Sequence, residues 1–349
     1  MTVNSAPSNR ARLMQMSWGF AAPLMIEAGV ELGLFDLLER EPRTIDHAAA
    51  ATGASPRGLA ILMDALAGLE LLRRDDAGRF ALTAESAAFL VSSKPEANLS
   101  GVFRHLVTQV MPNWLDLAEV VRTGRPALRR SERPPAEVGA HFAAFVEGLL
   151  PLGWPAAAAL AAHLKIEAAG DEPSVLDIGA GSGVYSIPFA LRSKRVRITA
   201  VDLPEVLQVT RRIAARYGVG DRFDTIAGDM THVDFGRGHR VAVLGQILHS
   251  YDAAENRTLL RKTFDALTSG GVVAVAEFLV DPDRSGPLSS LIFAANMLVN
   301  TEGGSTYSFD EIRDWLAQAG FEEIRTLEVP GPSPLILATR PAGKLRFGA

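Results

Sequence analysis

The spacing of apolar residues divides the chain into two parts. In the first third, apolar residues such as Met25, Ala28 and Leu32 recur at helical spacing, and residues 44–51 and 55–69 predict a helix-turn-helix. In the second half, short apolar runs alternate with amphipathic helical segments. The pattern therefore predicts a mostly helical N-terminal region followed by an α/β domain.

A small hairpin is predicted directly after the helix-turn-helix. Residues 71–82 predict two short strands around the turn Asp76-Ala77-Gly78, so the region as a whole predicts a winged helix. DNA binding needs Lys and Arg on the second helix, yet residues 56–69 carry only Arg57 and Asp64 as charges. We therefore expect this apolar helix to pack against another subunit rather than to bind DNA.

Two long helical segments, residues 99–123 and 138–164, are predicted between the winged helix and the α/β domain. Between them, residues 124–137 are rich in Arg and Pro and predict an exposed connection. The predicted domains are 1–93, a winged-helix dimerisation domain; 94–165, a helical linker region; and 166–349, the α/β domain.

Seven apolar segments in the second half predict strands. Their nearly continuous apolar character is typical of a sheet that helices cover on both faces. The predicted strands are residues 174–178, 197–201, 223–227, 241–245, 272–278, 324–328 and 335–339. The predicted helices between them are residues 184–192, 205–217, 254–267 and 309–319. In such a sheet, ligands bind beyond the carboxyl ends of the strands.

Three glycines follow the first predicted strand. Gly179, Gly181 and Gly183 come just after Asp177, and Asp202 ends the next strand, 19 residues past the last glycine. Glycines let the backbone approach a ligand closely, and a carboxylate at this place can bind a ribose diol. The spacing G-x-G-x-G differs from the G-x-G-x-x-G that holds a pyrophosphate. The turn therefore indicates S-adenosylmethionine rather than NAD.

Composition removes several kinds of chemistry. The chain has 349 residues, a net charge of −5 and no Cys, so we expect no disulfide, thiolate metal site or Cys nucleophile. This charge does not indicate a nucleic-acid surface, and no residues have the spacing of metal ligands. The polar start of the chain lacks the apolar core of a signal peptide, and no apolar run has membrane-spanning length. We expect a cytoplasmic protein that uses no metal.

The glycine turn is the first of eight short motifs along the second half of the chain. They are residues 176–183, 201–204, 228–230, 247–252, 270–271, 276–277, 303–304 and 319–321. In this order they resemble the class I S-adenosylmethionine-dependent O-methyltransferases of the caffeate and hydroxyneurosporene type, and the resemblance covers nearly the whole chain. It implies a Rossmann-like, seven-stranded catalytic domain, preceded by a winged-helix domain through which the enzyme forms a homodimer.

The resemblance also implies the cofactor contacts. The turn glycines are expected to pass the methionine part of S-adenosylmethionine, Asp202 to bind its ribose hydroxyls, and Asp229 with Met230 to flank its adenine. Tyr251 stands where the family usually has a Trp, so an aromatic ring near the adenine is retained. The implied cofactor residues are Asp177, Gly179, Gly181, Asp202, Leu203, Gly228, Asp229, Met230, Gln246 and Tyr251.

The resemblance assigns catalysis to two residues. His249 occupies the position of the general base, and Glu277, at the end of the neighbouring strand, matches a carboxylate that holds the other ring nitrogen of the base. The sequence departs from plant-type members at two places. Thr306 stands where they have a second carboxylate against the base, and Ser250 replaces the common Asp after the His. Both departures affect the acceptor chemistry more than the cofactor, and we expect a less tightly clamped base.

The acceptor pocket is expected between the domains. Residues 288–300 predict an apolar helix in a region where the family lines its acceptor, although a Met and Phe stripe at helical spacing is also typical of plain core. The implied acceptor residues are Trp114, Phe142, Phe145, Phe293, Asn296, Met297, Asn300 and Thr306.

These features predict methyl transfer from S-adenosylmethionine to a hydroxyl of a small aromatic or polyketide-like metabolite. Two alternatives stay open. The accepting atom can instead be carbon, nitrogen or sulfur, and sulfur needs no base, so a flat pH profile would favour it. The chain can also be a relative that binds the cofactor without methylating, such as a pericyclase-like or regulatory protein.

Overall fold

The computed structural model describes residues 10–127, 132–146, 148–166 and 172–342. The chain divides into two compact units, the first ending at Gln109 and the second beginning at Val110. The predicted linker region, residues 94–165, is thus shared between the two units.

Short helices and a hairpin form the first unit. They are α1 (Arg10–Ser17), α2 (Ala21–Glu31), α3 (Leu34–Arg40), α4 (Ile45–Thr52), α5 (Pro56–Gly68), β1 (Leu72–Arg74), β2 (Phe80–Leu82), α6 (Ala84–Phe89) and α7 (Ser100–His105). The side chains of Thr44 and Ser55 accept backbone hydrogen bonds and so cap α4 and α5. Phe35, Met63 and Phe80 are fully buried in the core of this unit. The predicted helix-turn-helix and hairpin are therefore present.

The long helix predicted at residues 99–123 is wrong, because the chain breaks it into pieces. After α7 comes a π-helical turn over Leu106–Val110, then α8 (Met111–Trp114) and α9 (Leu117–Thr123). Pro112 has no N–H to donate, so the regular hydrogen-bond pattern of an α-helix cannot continue through it.

The helix predicted at residues 138–164 is also divided. It forms α10 (Pro135–Val146) and α11 (Leu150–Leu164), and Pro151 lies in the first turn of the second piece. Proline favours a helix start because its missing N–H has no intrahelical partner there. Residues 128–131 of the predicted Arg- and Pro-rich connection lie outside the described residues.

Seven strands in the described part of the second unit form one sheet in the order β5-β4-β3-β6-β7-β9-β8. The strands are β3 (Ser174–Ile178), β4 (Arg197–Asp202), β5 (Phe223–Ala227), β6 (His239–Gly245), β7 (Leu267–Ala276), β8 (Glu322–Leu327) and β9 (Leu335–Thr339). All neighbouring pairs are parallel except those of β9, which runs antiparallel to β7 and β8. The predicted Rossmann-like sheet is therefore confirmed.

Helices cover both faces of this sheet. The remaining helices are α12 (Ile187–Arg192), α13 (Pro204–Arg216), α14 (Ala253–Ala266), α15 (Leu288–Asn300) and α16 (Phe309–Ala319). Successive strand residues point to opposite faces, so Val175 belongs to one buried apolar cluster with Leu160 of α11, whereas Leu176 belongs to another with Leu259 of α14. Each such buried side chain contributes about 1.5–3 kcal/mol to folding. No helix in the described part of the chain is both long and apolar enough to cross a membrane.

The ends of some elements differ from the prediction. The helix predicted from residue 184 begins only at Ile187, because the chain first turns through the residues after Gly183. The strand predicted at residues 272–278 starts earlier, at Leu267, and ends at Ala276, so that Glu277 lies just beyond the sheet. These shifts place the polar motif residues in loops at the carboxyl ends of the strands.

Candidate active site

The turn after β3 holds the carboxylate of Asp202. Gly181 N–H donates to Asp202 Oδ2 at 2.8 Å, and Leu203 N–H donates to Oδ1 at 2.7 Å. Gly179 and Gly181 have φ values of +66° and +54°, and a Cβ on Gly179 would clash with Ile247. Two backbone donors therefore orient the carboxylate.

Asp177 lies inside the turn. Its side chain is buried, and Ser186 Oγ donates to Asp177 Oδ2 at 2.5 Å. Burial raises the pKa of Asp177 to about 7, the negative charge of Asp202 adds to the rise, and the Ser186 hydrogen bond opposes it. Asp177 therefore orders the turn from within, and its contact with a cofactor stays a prediction.

The loop after β5 reaches the same turn. Gly228 N–H donates to the carbonyl of Asp202 at 2.9 Å. Asp229 Oδ1 accepts the N–H of residue 231 at 2.9 Å. Met230 Cε lies 3.1 Å from the position that a Cβ on Gly179 would take. The structure thus brings the predicted cofactor residues of three neighbouring strands together.

This turn fits S-adenosylmethionine on structural grounds. A carboxylate held by two backbone donors at a strand end suits a pair of ribose hydroxyls. A dinucleotide site instead directs a helix N-terminus at the pyrophosphate. Here α12 begins only at Ile187, four residues after Gly183, so the turn itself presents no such N-terminus. The described residues contain no group of His, Asp and Glu arranged to hold a metal ion.

The segment after β6 carries two further predicted cofactor residues. Gln246 has a φ of +60°, which is rare for a residue with a side chain, and its N–H donates to the carbonyl of Ala276 at 2.7 Å. Tyr251 is buried, and its carbonyl accepts the Tyr307 hydroxyl at 2.6 Å. Backbone strain of this kind occurs at functional sites.

His249, in the segment after β6, and Glu277, directly after β7, form a buried pair. His249 Nδ1 lies 2.7 Å from Glu277 Oε2, and the His249 N–H donates to Oε1 at 3.3 Å. The exposed fractions of the two side chains are 11% and 4%. This network assigns the ring proton to Nδ1 and leaves Nε2 as the acceptor nitrogen. The predicted base and its carboxylate are therefore in contact.

Two neighbouring segments fix the backbone of His249. Asn256 Nδ2 donates to the carbonyl of Leu248 at 2.9 Å. Ser305 N–H donates to the carbonyl of His249 at 3.0 Å, an approach that requires glycine at residue 304 because a Cβ there would clash with that carbonyl. Thr306, at the position of the second carboxylate in plant-type members, is buried, and its hydroxyl has no partner among the described residues.

Two aromatic rings flank His249. The ring of Phe293 meets that of His249 edge to face, with centroids 4.9 Å apart and an interplanar angle of 89°. Phe278 lies beside Phe293 at 4.1 Å. Both Phe residues are half-buried, so they present apolar surface next to the imidazole.

The other predicted acceptor residues fall into two groups. On α8 and α15, Trp114 Nε1 donates to Asn296 Oδ1 at 2.9 Å, and Asn113 Nδ2 donates to Asn300 Oδ1 at 2.7 Å. Met297, between these two Asn residues, is buried. These hydrogen bonds tie α8 to the helix that also carries Phe293.

The second group lies on α10. The rings of Phe142 and Phe145 are 5.5 Å apart, and the next residue, Val146, lies 3.7 Å from the position of a Cβ on Gly181. This end of α10 therefore lies against the glycine turn, whereas Trp114 lies against α15.

Sequence reasoning missed several residues of the site. Asn113 could have been found from its position beside Trp114, and Tyr185 from its position two residues after the last turn glycine. Lys262, which donates to the carbonyl of Met230 at 2.7 Å, carried no local signal.

Comparison with known proteins adds independent information. The family model of the O-methyltransferase domain matches residues 162–322, and that of the O-methyltransferase dimerisation domain matches residues 14–92. The chain is 33% identical over 322 residues to 3-hydroxy-5-methyl-1-naphthoate 3-O-methyltransferase of Streptomyces sahachiroi, and the match covers 92% of each chain.

Two other relatives match over nearly their whole length. Tetracenomycin polyketide synthesis 8-O-methyl transferase TcmO of Streptomyces glaucescens is 27% identical over 98% of this chain and 100% of its own. The solved structure of PigF with SAH has a TM-score of 0.82 and 28% identity, and covers 95% of this chain and 99% of PigF. PigF of Serratia sp. is described as an S-adenosyl-L-methionine-dependent methyl transferase.

Proposed function

The chain belongs to the S-adenosylmethionine-dependent O-methyltransferases with a dimerisation domain, and we propose that it methylates a hydroxyl of a small aromatic or polyketide-like metabolite, with His249 as general base. The observation that carries the proposal is the buried hydrogen bond of 2.7 Å between His249 Nδ1 and Glu277 Oε2. When bound, S-adenosylmethionine supplies a methyl group that is already activated on a positively charged sulfur.

In this proposal each nitrogen of the His249 ring has its own role. Glu277 accepts a hydrogen bond from Nδ1–H of His249. Nε2 is therefore the nitrogen that takes the proton of the acceptor hydroxyl. As the ring becomes charged, the carboxylate stabilises it. A phenol has an ordinary pKa near 10 and a histidine one near 6.5, so the proton leaves while the bond to carbon forms.

The surroundings of the base support an aromatic acceptor. Phe278 and Phe293 present apolar faces beside His249, and aromatic rings pack against one another in stacked or edge-to-face arrangements. These apolar rings also exclude water, which would favour a transfer in which the charge developing on the phenol oxygen is cancelled by that of the sulfonium. The names of the Streptomyces relatives, a naphthoate and a tetracenomycin polyketide methyltransferase, agree with such an acceptor.

For the cofactor, we assign the glycine turn to the methionine part, Asp202 to the ribose and the loop of Asp229 and Met230 to the adenine. The assignment is supported by the two backbone donors that orient Asp202. We also assign a homodimer that forms through the first unit. Its support is the apolar surface of that unit, where the exposed fractions of Leu13 and Trp18 are 69% and 66%.

The test is an acceptor screen with purified protein. The protein is incubated with S-adenosylmethionine and a panel of phenols that includes 3-hydroxy-5-methyl-1-naphthoate, and S-adenosylhomocysteine formation is measured. We expect turnover with at least one phenol and a fall of about 10²- to 10⁴-fold in His249→Ala, the usual contribution of a general base. Full turnover by His249→Ala on that phenol would contradict the assignment of the base.

A further inference from the structure

Glu277 is a buried carboxylate, with a side chain that is only 4% exposed. Among the described residues, both hydrogen bonds to its oxygens come from His249. An ionised carboxylate offers about four lone-pair positions, and burying its charge is costly unless they are satisfied. Further donors on the side away from His249 would therefore stabilise the pair.

A small cavity lies next to this carboxylate. Its lining includes Glu277, Tyr185, Gln246 and Ser333, together with apolar side chains such as Leu152. The cavity has room for about one water molecule, and a buried water needs two to four polar partners. Tyr185, Gln246 and Ser333 carry uncharged polar groups of the kind that such a water needs.

Tyr185 is the aromatic residue in the lining of this cavity. The residue is buried, and its ring lies so close to Gly245 of β6 that a Cβ on Gly245 would clash with it. Packing against a glycine accounts for the ring but not for the hydroxyl, because a phenylalanine would fill the same space. A buried hydroxyl is stabilising only when it is hydrogen-bonded.

The electrostatic environment makes this hydroxyl a donor. Burial raises the pKa of Tyr185 above its ordinary value, and the negative charges of Glu277 and Asp177 raise it further. The phenol therefore keeps its proton over the pH range in which the enzyme works.

We propose that Tyr185 is a positioning residue for the base. The Tyr185 hydroxyl donates through a water in this cavity to the Glu277 carboxylate and holds that carboxylate, charged, toward His249. The proposal rests on the assigned role of His249. Loss of this donor concentrates the carboxylate charge on its bond to the imidazole. The ring then holds its proton more tightly, and its titration moves to higher pH.

The test is an NMR titration that needs no methyl acceptor. The chain has seven His residues, so the ring signals are followed in [¹³Cε1]-histidine-labelled protein saturated with S-adenosylhomocysteine, and that of His249 is assigned by its loss in His249→Asn. In Tyr185→Phe, which keeps the ring, we expect the midpoint of the His249 titration to rise by about 0.5 to 1 pH unit. In a Glu277→Gln background the same substitution should produce less than about a third of that rise, because the charge through which it acts is gone.

A matched control removes a phenol hydroxyl elsewhere. Tyr217 follows α13 and stacks on Trp154, with ring centroids 5.0 Å apart. This helix is about 20 Å long and starts just after Asp202, so Tyr217→Phe makes the same chemical change at its far end. We expect this variant to leave the midpoint unchanged.

Two results would overturn the proposal. One is an unchanged midpoint in Tyr185→Phe, including the case in which the variant loses S-adenosylhomocysteine affinity and so acts on the cofactor. The other is an equal rise with and without the Glu277 carboxylate. Failure of the proposed function is distinguishable, since it appears as full turnover by His249→Ala and leaves the NMR comparison intact.

Discussion

Glu277→Gln changes one charge in the site and almost no volume. The amide oxygen of Gln can still accept a hydrogen bond from Nδ1–H of His249, but it carries no charge with which to stabilise a positive ring. Opposite unit charges about 4 Å apart attract by about 4 kcal/mol at an effective dielectric constant of about 20. Hydrogen bonds to charged groups contribute about 1.5 to 3 kcal/mol. The pair is joined by a hydrogen bond of 2.7 Å, so we take the range for hydrogen bonds to charged groups. It corresponds to a fall in kcat of about 10- to 150-fold.

The assay is kcat and kcat/KM measured from pH 5 to 9 with the phenol that the screen identifies. A protonated ring has no lone pair with which to take a proton, so the role proposed for His249 predicts a loss of activity on the acid side. The Glu277 charge favours the protonated ring, and its removal should therefore move the acid limb to lower pH while the plateau drops. Glu328→Gln makes the same change at an exposed position and should behave as the wild type.

Superimposed profiles with equal plateaus would refute the reasoning. They would mean that the carboxylate does not interact with the protonated ring during turnover. A plateau loss with an unmoved acid limb would also refute it, because Glu277 would then serve the structure alone.

Three further predictions concern the cofactor turn. Asp202→Asn keeps the shape of the side chain but loses the charge, so the calorimetric affinity for S-adenosylhomocysteine should fall about 10-fold or more, and an unchanged Kd would count against the ribose assignment. Gly179→Ala places a Cβ against Ile247 at a φ of +66°, so both Tm and S-adenosylhomocysteine affinity should fall, and wild-type values of both would be inconsistent with a tight turn. Burial raises the pKa of Asp177 to about 7, whereas an unfolded Asp titrates near 3.9, so its contribution to stability is full below about pH 4 and is lost as pH rises to about 7. Asp177→Asn should remove this loss, and equal pH dependence of the two unfolding free energies in urea would contradict the prediction.

Local signals made most of the fold predictable. The bounds of α16 match the prediction because Ser308 caps its first turn and Gly320, with a φ of +101°, ends it. The break after α7 was not predictable in the same way, since a π-helical turn before Pro112 interrupts the hydrogen bonds but hardly disturbs the helical spacing of apolar residues. The early start of β7 depends on tertiary pairing, for example the hydrogen bond from Gly270 N–H to the carbonyl of Arg340.

The site was predictable where it follows from topology. Parallel strands gather their carboxyl ends at one edge, which brings Asp202, His249 and Glu277 into one region from positions far apart in the chain. Contacts between helices were not predictable, because nothing local indicates that Trp114 donates to Asn296, 182 residues away. The role of Asp177 inside the turn likewise depends on burial, which the motif alone does not reveal.

Transfer to oxygen by a histidine base is tested most directly with S-adenosylmethionine labelled with ¹³C at the methyl carbon. The label is followed by NMR into the product of the wild-type enzyme and of His249→Asn. We expect the wild-type signal to appear among aryl methoxy carbons and to be nearly lost in the variant at equal time. A label bonded to carbon, nitrogen or sulfur, or an equal methoxy signal from His249→Asn, would contradict this mechanism.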